Sequence, residues 1–266
     1  MGKYREVNTE LIELAAQGKT GKEISRILNL DYSTVHAKLR KLNINLPNNH
    51  NRLKFDNTVF DKIDTEEKAY WLGFLYADGY VSDTKNTVEL SLKGDDYNHL
   101  VKFNLFIKNE AQVKISESKC NNKIFTRCRC SITDKHFHDT LCLLGCVPKK
   151  SLILKFPDSS IFTDRKLVYD FIRGYIDGDG CISYTKTGRL QLSIIGTKEF
   201  LDGICNIFPE VFFNNRCKNK RHPESNTYEL QCTANKADYV LEILYKDSKI
   251  YLDRKYNRLA VLSSNW

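Results

Sequence analysis

The 266-residue chain contains no stretch of about 18 uninterrupted apolar residues, so no membrane-spanning helix is expected. Residues Met1 to Glu10 carry neither the apolar core of a secretory leader nor the Arg- and Ser-rich look of a transit peptide. The protein is therefore expected to stay where it is made, in the cytoplasm of a bacterial or phage-infected cell or in an organellar matrix, and not to be secreted. Nine cysteines are odd in number and include no C-x-x-C pair, which argues against a disulfide framework and for reduced core residues. A zinc site can be drawn on spacing alone from Cys128, Cys130, Cys142, Cys146, His136 and His138. Against it, Cys128 and Cys130 alternate with Arg127 and Arg129 as the inward face of a strand does.

The chain does have apolar mass and basic charge. Apolar residues make up 41% of it, enough for one large domain or two to three small ones. Lys and Arg number 41 against 33 Asp and Glu, a net +8 that favours a polyanionic partner without requiring one.

From Asn8 to Leu42 the apolar spacing is helical: Leu11, Ile12, Leu14 and Ala15, then Ile24, Ile27 and Leu28, then Val35, Leu39 and Leu42. Three short helices are expected. Thr20 with Glu23 three residues on is a capping box, and a basic third helix runs from about Tyr32 to Leu42. Two helices joined by a tight turn, the second basic, resemble a helix-turn-helix over residues 1–46, whose DNA-reading side chains would be Ser33, Thr34, His36, Lys38 and Arg40. A small helical bundle for protein contacts fits the same pattern. Residues 47–62 lose the periodicity and read as an extended linker.

The remainder is repeated. Tyr70 to Ser82 (YWLGFLYADGYVS) matches Phe171 to Ser183 (FIRGYIDGDGCIS) at an offset of 101, and after a one-residue slip the match continues at 102. There Leu90 answers Leu192, Gly94 answers Gly196 and Cys130 answers Cys232. Two pseudo-symmetric αββαββα units are expected, over 63–160 and 161–266. Each opens on an apolar helix with small residues four apart, Gly73 and Ala77, then Gly174 and Gly178. That spacing lets two backbones approach closely, so each helix is the natural partner of the other. Both end in an acid followed by glycine, Asp78-Gly79 and Asp179-Gly180, and packing would bring the carboxylates together, a repulsion usually resolved by a shared proton or divalent cations. Asp177 is matched by Tyr76 and is expected to serve packing or to be solvated.

WLGFLYADG and IRGYIDGDG resemble the paired motifs of the LAGLIDADG homing endonucleases, over roughly residues 60–266. The resemblance implies an α+β fold, two units forming one saddle-shaped sheet, in a monomer that needs no obligate protein partner. It implies cleavage of a long, asymmetric double-stranded DNA site, with Asp78 and Asp179 holding Mg²⁺, or Mn²⁺ in its place, and Ala77 and Gly178 in the same metal site. A basic residue near each metal site would be Lys150 in VPKKS and Lys255 in LDRKY, on the loop after each repeat's second helix; ordinary surface lysines are the alternative. The polar groups that family members place past the second hairpin strand fall here near Gly94 and Gly196, a departure from the pattern.

The hairpins alternate with period two. Val88, Leu90, Leu92, Val113 and Ile115 are expected inward in the first unit, and Leu190, Leu192 and Ile194 in the second. The outward rows would then be solvated or laid on DNA, where Arg and Gln read base edges. In the first unit the DNA-facing set is Ser82, Thr84, Glu89, Ser91, Lys93, Lys114, Arg127 and Arg129. In the second it is Ser183, Thr185, Arg189, Gln191, Ser193, Arg216, Lys218 and Gln231. The same fold also occurs in DNA-binding regulators without chemistry and in intron RNA maturases; retention of both acids argues against the first. An intein is not expected, because the ending Ser263-Ser264-Asn265-Trp266 lacks a His-Asn terminus.

Overall fold

A computed structural model describes residues 2–44, 46, 54–120, 123–212, 216–218 and 226–259. The chain divides into two compact units, residues 1–53 and 54–266. No helix among the described residues is long and apolar enough to cross a membrane.

The first unit contains helices α1 (Gly2–Ala16), α2 (Gly21–Ile27) and α3 (Tyr32–Lys41) around Leu11, Ile24, Val35 and Leu39. Glu23 N–H donates to Thr20 Oγ1 at 3.3 Å while Thr20 N–H donates to Glu23 Oε2 at 2.7 Å, which closes the capping box and fixes the start of α2. Asn29, at φ +47°, turns the chain out of α2. Ser33, Thr34 and Arg40 are exposed on α3. Two other members of the expected reading set are engaged within the unit: the Tyr32 and His36 rings lie 4.3 Å apart with His36 Nε2 buried, and Lys38 donates to Asn8 Oδ1 at 3.2 Å.

The second unit runs α4 (Glu66–Asp78), β1 (Gly79–Val81), β2 (Thr87–Lys93), α5 (Tyr97–Phe106), β3 (Lys114–Cys120), β4 (Lys123–Thr133), α6 (Lys135–Leu143), then α7 (Leu167–Asp179), β5 (Gly180–Tyr184), β6 (Leu190–Gly196), α8 (Lys198–Ile207), α9 (Pro209–Phe212), β7 (Arg216–Lys218), β8 (Tyr228–Thr233), α10 (Asn235–Tyr245) and α11 (Asp253–Leu259). This is αββαββα twice, with α9 and α11 added to the second copy. Each copy forms a four-stranded antiparallel sheet, ordered β1-β2-β4-β3 and β5-β6-β8-β7. The ladders carry the repeat seen in sequence, since Leu90 lies opposite Cys130 and Leu192 opposite Cys232. In the hairpins the pairing differs by two residues, Gly79 opposite Leu90 but Gly180 opposite Ile194. An even shift keeps every side chain on its face.

Cys128, Cys130, Cys205 and Cys232 are buried free thiols, two of them on β4 as the alternation required. Two readings are corrected. Residues 54–62 belong to this unit and not to a linker: Asp56 N–H donates to Ile107 O at 2.7 Å, and Val59 and Phe60 are core. Residues 47–53 of that expected linker lie outside the described residues. Ile115 is 61% exposed, because α5 covers β2 and β4 and leaves the edge strand β3 bare.

Candidate active site at the helix pair

Helices α4 and α7 pack side by side at the centre of the unit. Thr65 caps α4 through Lys68 N–H at 3.4 Å, Glu66 and Glu67 complement the positive helix start, and residues 69–76 are buried on every side, which marks a helix enclosed by protein. The contact is reciprocal. A β-carbon on Gly73 would overlap Phe171 O and lie 2.8 Å from Phe171 C, and one on Gly174 would overlap Tyr70 O and lie 2.9 Å from Tyr70 C. Two backbones therefore touch where Tyr70 and Phe171 occupy equivalent positions, a local twofold axis written in glycine.

One turn further on, the site where a Gly178 β-carbon would stand lies 3.4 Å from Asp78 Oδ2, so the Asp78 carboxylate reaches across to the other helix. Asp78 and Asp179 stand at the negative ends of both helix dipoles and keep a path to solvent. Crowding by protein pushes Asp78 up to about 6, with the charge of Asp179 adding to it, while Lys255, Lys150 and Arg254 pull the other way. Asp179 is likewise raised by burial and opposed by the same two lysines. The glycine after each acid is a matter of space: at Gly180 a β-carbon would meet Ile176 O at 2.6 Å.

Both lysines reach this place, Lys255 buried and Lys150 half-buried. Lys150 Nζ donates to Gly79 O. Lys255 is 5% exposed, and its Nζ donates to the carbonyls of Ile176 (2.6 Å), Gly178 (3.1 Å) and Gly180 (2.6 Å). Burial lowers Lys255 to about 8, against the raising influence of Asp177, Asp78 and Asp179. Each lysine follows the third helix of the αββαββα pattern, α6 or α10, and not the second. Lys255 stands on α11 and not on a loop. In the pair Lys149-Lys150, Lys149 has φ +54° and turns away to Asp83 at 2.6 Å. Beside Asp179 opens a cavity of about 250 Å³ lined by Tyr76, Ala77, Lys150, Tyr175 and Thr197, where the expected outer polar groups gave way to Gly196.

The donor set here suits a hard cation: two carboxylates, helix-end carbonyls and no sulfur or imidazole ligand. Among the described residues no cluster of three or more His, Cys, Asp or Glu forms a metal cage, so an ion would complete its shell with water or phosphate oxygens, as Mg²⁺ does. Ala77 and Gly178 have no side-chain donor and could serve a metal only through backbone oxygens; Gly178 O also accepts from Lys255 Nζ at 3.1 Å.

On the outward face of the first sheet, Glu89, Ser91 and Lys93 on β2 lie beside Ser131, Arg129 and Arg127 on β4, with Lys114 on β3 opposite Arg129. Glu89 and Arg129 form an ion pair at 3.5 Å. Thr84 is exposed in the hairpin loop. Ser82 is only 4% exposed, and its Oγ accepts from the N–H groups of Thr84 and Lys85 to shape the turn. In the second sheet Gln191 lies between Ser183 and Thr233, and Gln231 is exposed. Ser193 is corrected to a buried residue that donates to Glu229. Thr185 and Arg189 close the hairpin turn, Arg189 N–H donating to Thr185 Oγ1 at 3.0 Å, with Arg189 itself exposed. The register sets Arg216 and Lys218 opposite Leu230 and Tyr228. Their side chains lie outside the described residues. Among charged groups missed in sequence is Arg254, whose Nε donates to Asp96 at 2.9 Å and whose charge acts on Asp78. No local signal announces it, because its partner lies 158 residues away.

No family model and no curated protein matches the chain. Among solved structures, the I-LtrWI LAGLIDADG homing endonuclease bound to target DNA is similar over 76% of this chain and 92% of its own, at 11% identity and a TM-score of 0.46. The homing endonuclease I-WcaI bound to its DNA recognition sequence covers 78% of this chain and 91% of its own, at 15% and 0.49. The LAGLIDADG meganuclease I-AabMI bound to uncleaved DNA covers 73% and 88%, at 15% and 0.44. In fold, this chain is similar to the LAGLIDADG homing endonucleases.

Proposed function

We propose that the chain is a site-specific DNA endonuclease that breaks both strands of one asymmetric site with the help of Mg²⁺ or Mn²⁺, working as a monomer. The observation that carries this reading is the pair of acid-ended helices locked together by glycine on carbonyl, with a lysine delivered to each end. A divalent ion held by Asp78 and Asp179 would supply charge stabilisation at the scissile phosphates. The protein's own groups hold the carboxylates in place, keep two ammonium groups beside them and set a basic sheet face, Lys93, Lys114, Arg127 and Arg129, alongside. Because the second sheet presents Gln191 and Gln231 instead, the two half-sites should differ in sequence. Selecting cut sites from a randomised duplex library in Mg²⁺ against Ca²⁺ tests the proposal; a library left uncut in Mg²⁺ and Mn²⁺ overturns it.

Lys150→Ala and Lys255→Ala should each slow the chemical step by about 10²- to 10³-fold with little change in binding, the usual cost of one charge-stabilising donor. Single-turnover cleavage checks this, and wild-type rates in both variants would refute it.

The pH profile should be bell-shaped. Below about 6 Asp78 takes up a proton and the site loses the negative charge that holds a cation, so cutting at limiting Mg²⁺ falls and more Mg²⁺ restores it. Above about 8 Lys255 loses its ammonium charge and the rate falls regardless of Mg²⁺. A flat profile between pH 5 and 9 is the contrary outcome.

Residues 1–46 are proposed to read DNA beyond one half-site. Deleting them should shorten the footprint on one flank and flatten the salt dependence by about 0.9 in log-log slope per lost phosphate contact. An unchanged footprint and slope would make the three helices something other than a reader.

A further inference from the structure

We propose that Asp177 is a positioning residue for Lys255, and that Tyr76, its counterpart on α4, is the positioning residue for Lys150. Matching each lysine to a DNA strand rests on the proposed nuclease activity; the placement of the lysines does not.

Asp177 is fully buried, and both of its oxygens are used. Oδ1 accepts from Tyr245 OH on α10 at 2.7 Å; Oδ2 accepts from Tyr70 OH on α4 and from Leu252 N–H, both at 2.7 Å. The last of these matters most. Leu252 O accepts Lys255 N–H at 2.9 Å and so opens α11, the helix that carries Lys255 back to the end of α7. A single carboxylate thus fixes the stretch between α10 and α11 at the residue from which Lys255 is hung. A buried carboxylate is costly unless every lone pair in reach finds a donor, and a residue needed only to fill space between helices would be apolar.

The first repeat solves the same problem with different atoms. Tyr76 OH donates to Leu144 O, just past the end of α6, and from there the chain leads through Cys146, whose Sγ donates to Leu75 O at 3.5 Å, to Lys150 at Gly79 O. In both copies the side chain two places before the acid pins the segment that delivers the lysine to the carbonyl of the glycine after that acid. The pairing explains why a carboxylate and a phenol occupy equivalent positions: one must meet donors, the other a carbonyl.

The test uses the full chain with Asp177→Asn, Tyr245→Phe and Tyr76→Phe. Brief acylation with acetic anhydride, read by mass spectrometry, should show Lys255 protected in the wild type, labelled in Asp177→Asn, and intermediate in Tyr245→Phe, with Lys150 unchanged in both. Tyr76→Phe should raise labelling at Lys150 and leave Lys255 protected. On a cleavable duplex, Asp177→Asn should slow nicking of one strand by about 10²-fold, the cost of moving a site group by about 1 Å, with KM unchanged, and Tyr76→Phe should slow the other strand. The proposal is overturned if Lys255 stays protected in Asp177→Asn, or if both lysines become labelled together, which marks general loosening. Should Asp177→Asn fail to fold, Tyr245→Phe decides, since it keeps the ring and removes one bond. A wild-type protein that cuts no DNA sinks the nuclease reading, while the labelling pattern still judges the positioning.

Discussion

Asp78→Asn and Asp179→Asn are each expected to leave the protein bound to its target and unable to break both strands. Each change removes one charge from a site that has only two carboxylates, and the hard-oxygen donor set cannot be refilled from elsewhere among the described residues. Binding should persist, because the outward sheet rows and not the acid pair carry the basic side chains. A second readout separates this from unfolding. Asp78 sits well above the ordinary carboxylate range, so its ionised form is the one the fold disfavours. That penalty is present above about pH 6 and is relieved as pH falls below it; asparagine removes it at any pH. In EDTA at neutral pH the Asp78→Asn protein should therefore melt no lower than wild type. Gel shift, plasmid cleavage and calorimetry together check the prediction, and full double-strand cutting by both single variants would falsify the assignment.

Gly73→Leu or Gly174→Leu should be the most damaging changes to the fold. Each would drive a side chain into the opposite helix's backbone, at Phe171 or at Tyr70, where no rotamer adjustment can make room. Overpacking of this sort costs about 1–3 kcal/mol or more, and at roughly 2–4 °C per kcal/mol for a unit of this size the melting temperature should fall by about 2–12 °C or the protein should fail to fold. An unaltered melting temperature for both would rule out the helix pair as the centre of the molecule.

The features legible in sequence are those fixed by local periodicity or by the repeat itself. Cys130 and Cys232, one period apart, occupy the same rung of their ladders, and Gly73 and Gly174 meet as their spacing required. Thr20 with Glu23 announced its cap. What stayed hidden depends on partners far along the chain. Asp177 looked equally fit for packing or for solvent until Tyr70, Tyr245 and Leu252 closed on it. Ser193 has the polarity of an outward residue, but Glu229 from the neighbouring strand covers it. Lys149 and Lys150 are indistinguishable as letters; a left-handed backbone at the first sends them in opposite directions.

The segments bearing the two lysines are each fastened to the other repeat. Thr197 Oγ1 donates to Leu154 O and Asn226 Nδ2 to Leu152 O at 3.1 Å, while Lys102 pairs with Asp253 at 2.9 Å and Arg254 with Asp96. With α4 and α7 also sharing their backbones' closest approach, neither repeat can melt while the other keeps its lysine in place. Residues 54–266 should consequently lose structure in one cooperative step, with no half-melted form in which one repeat stands alone.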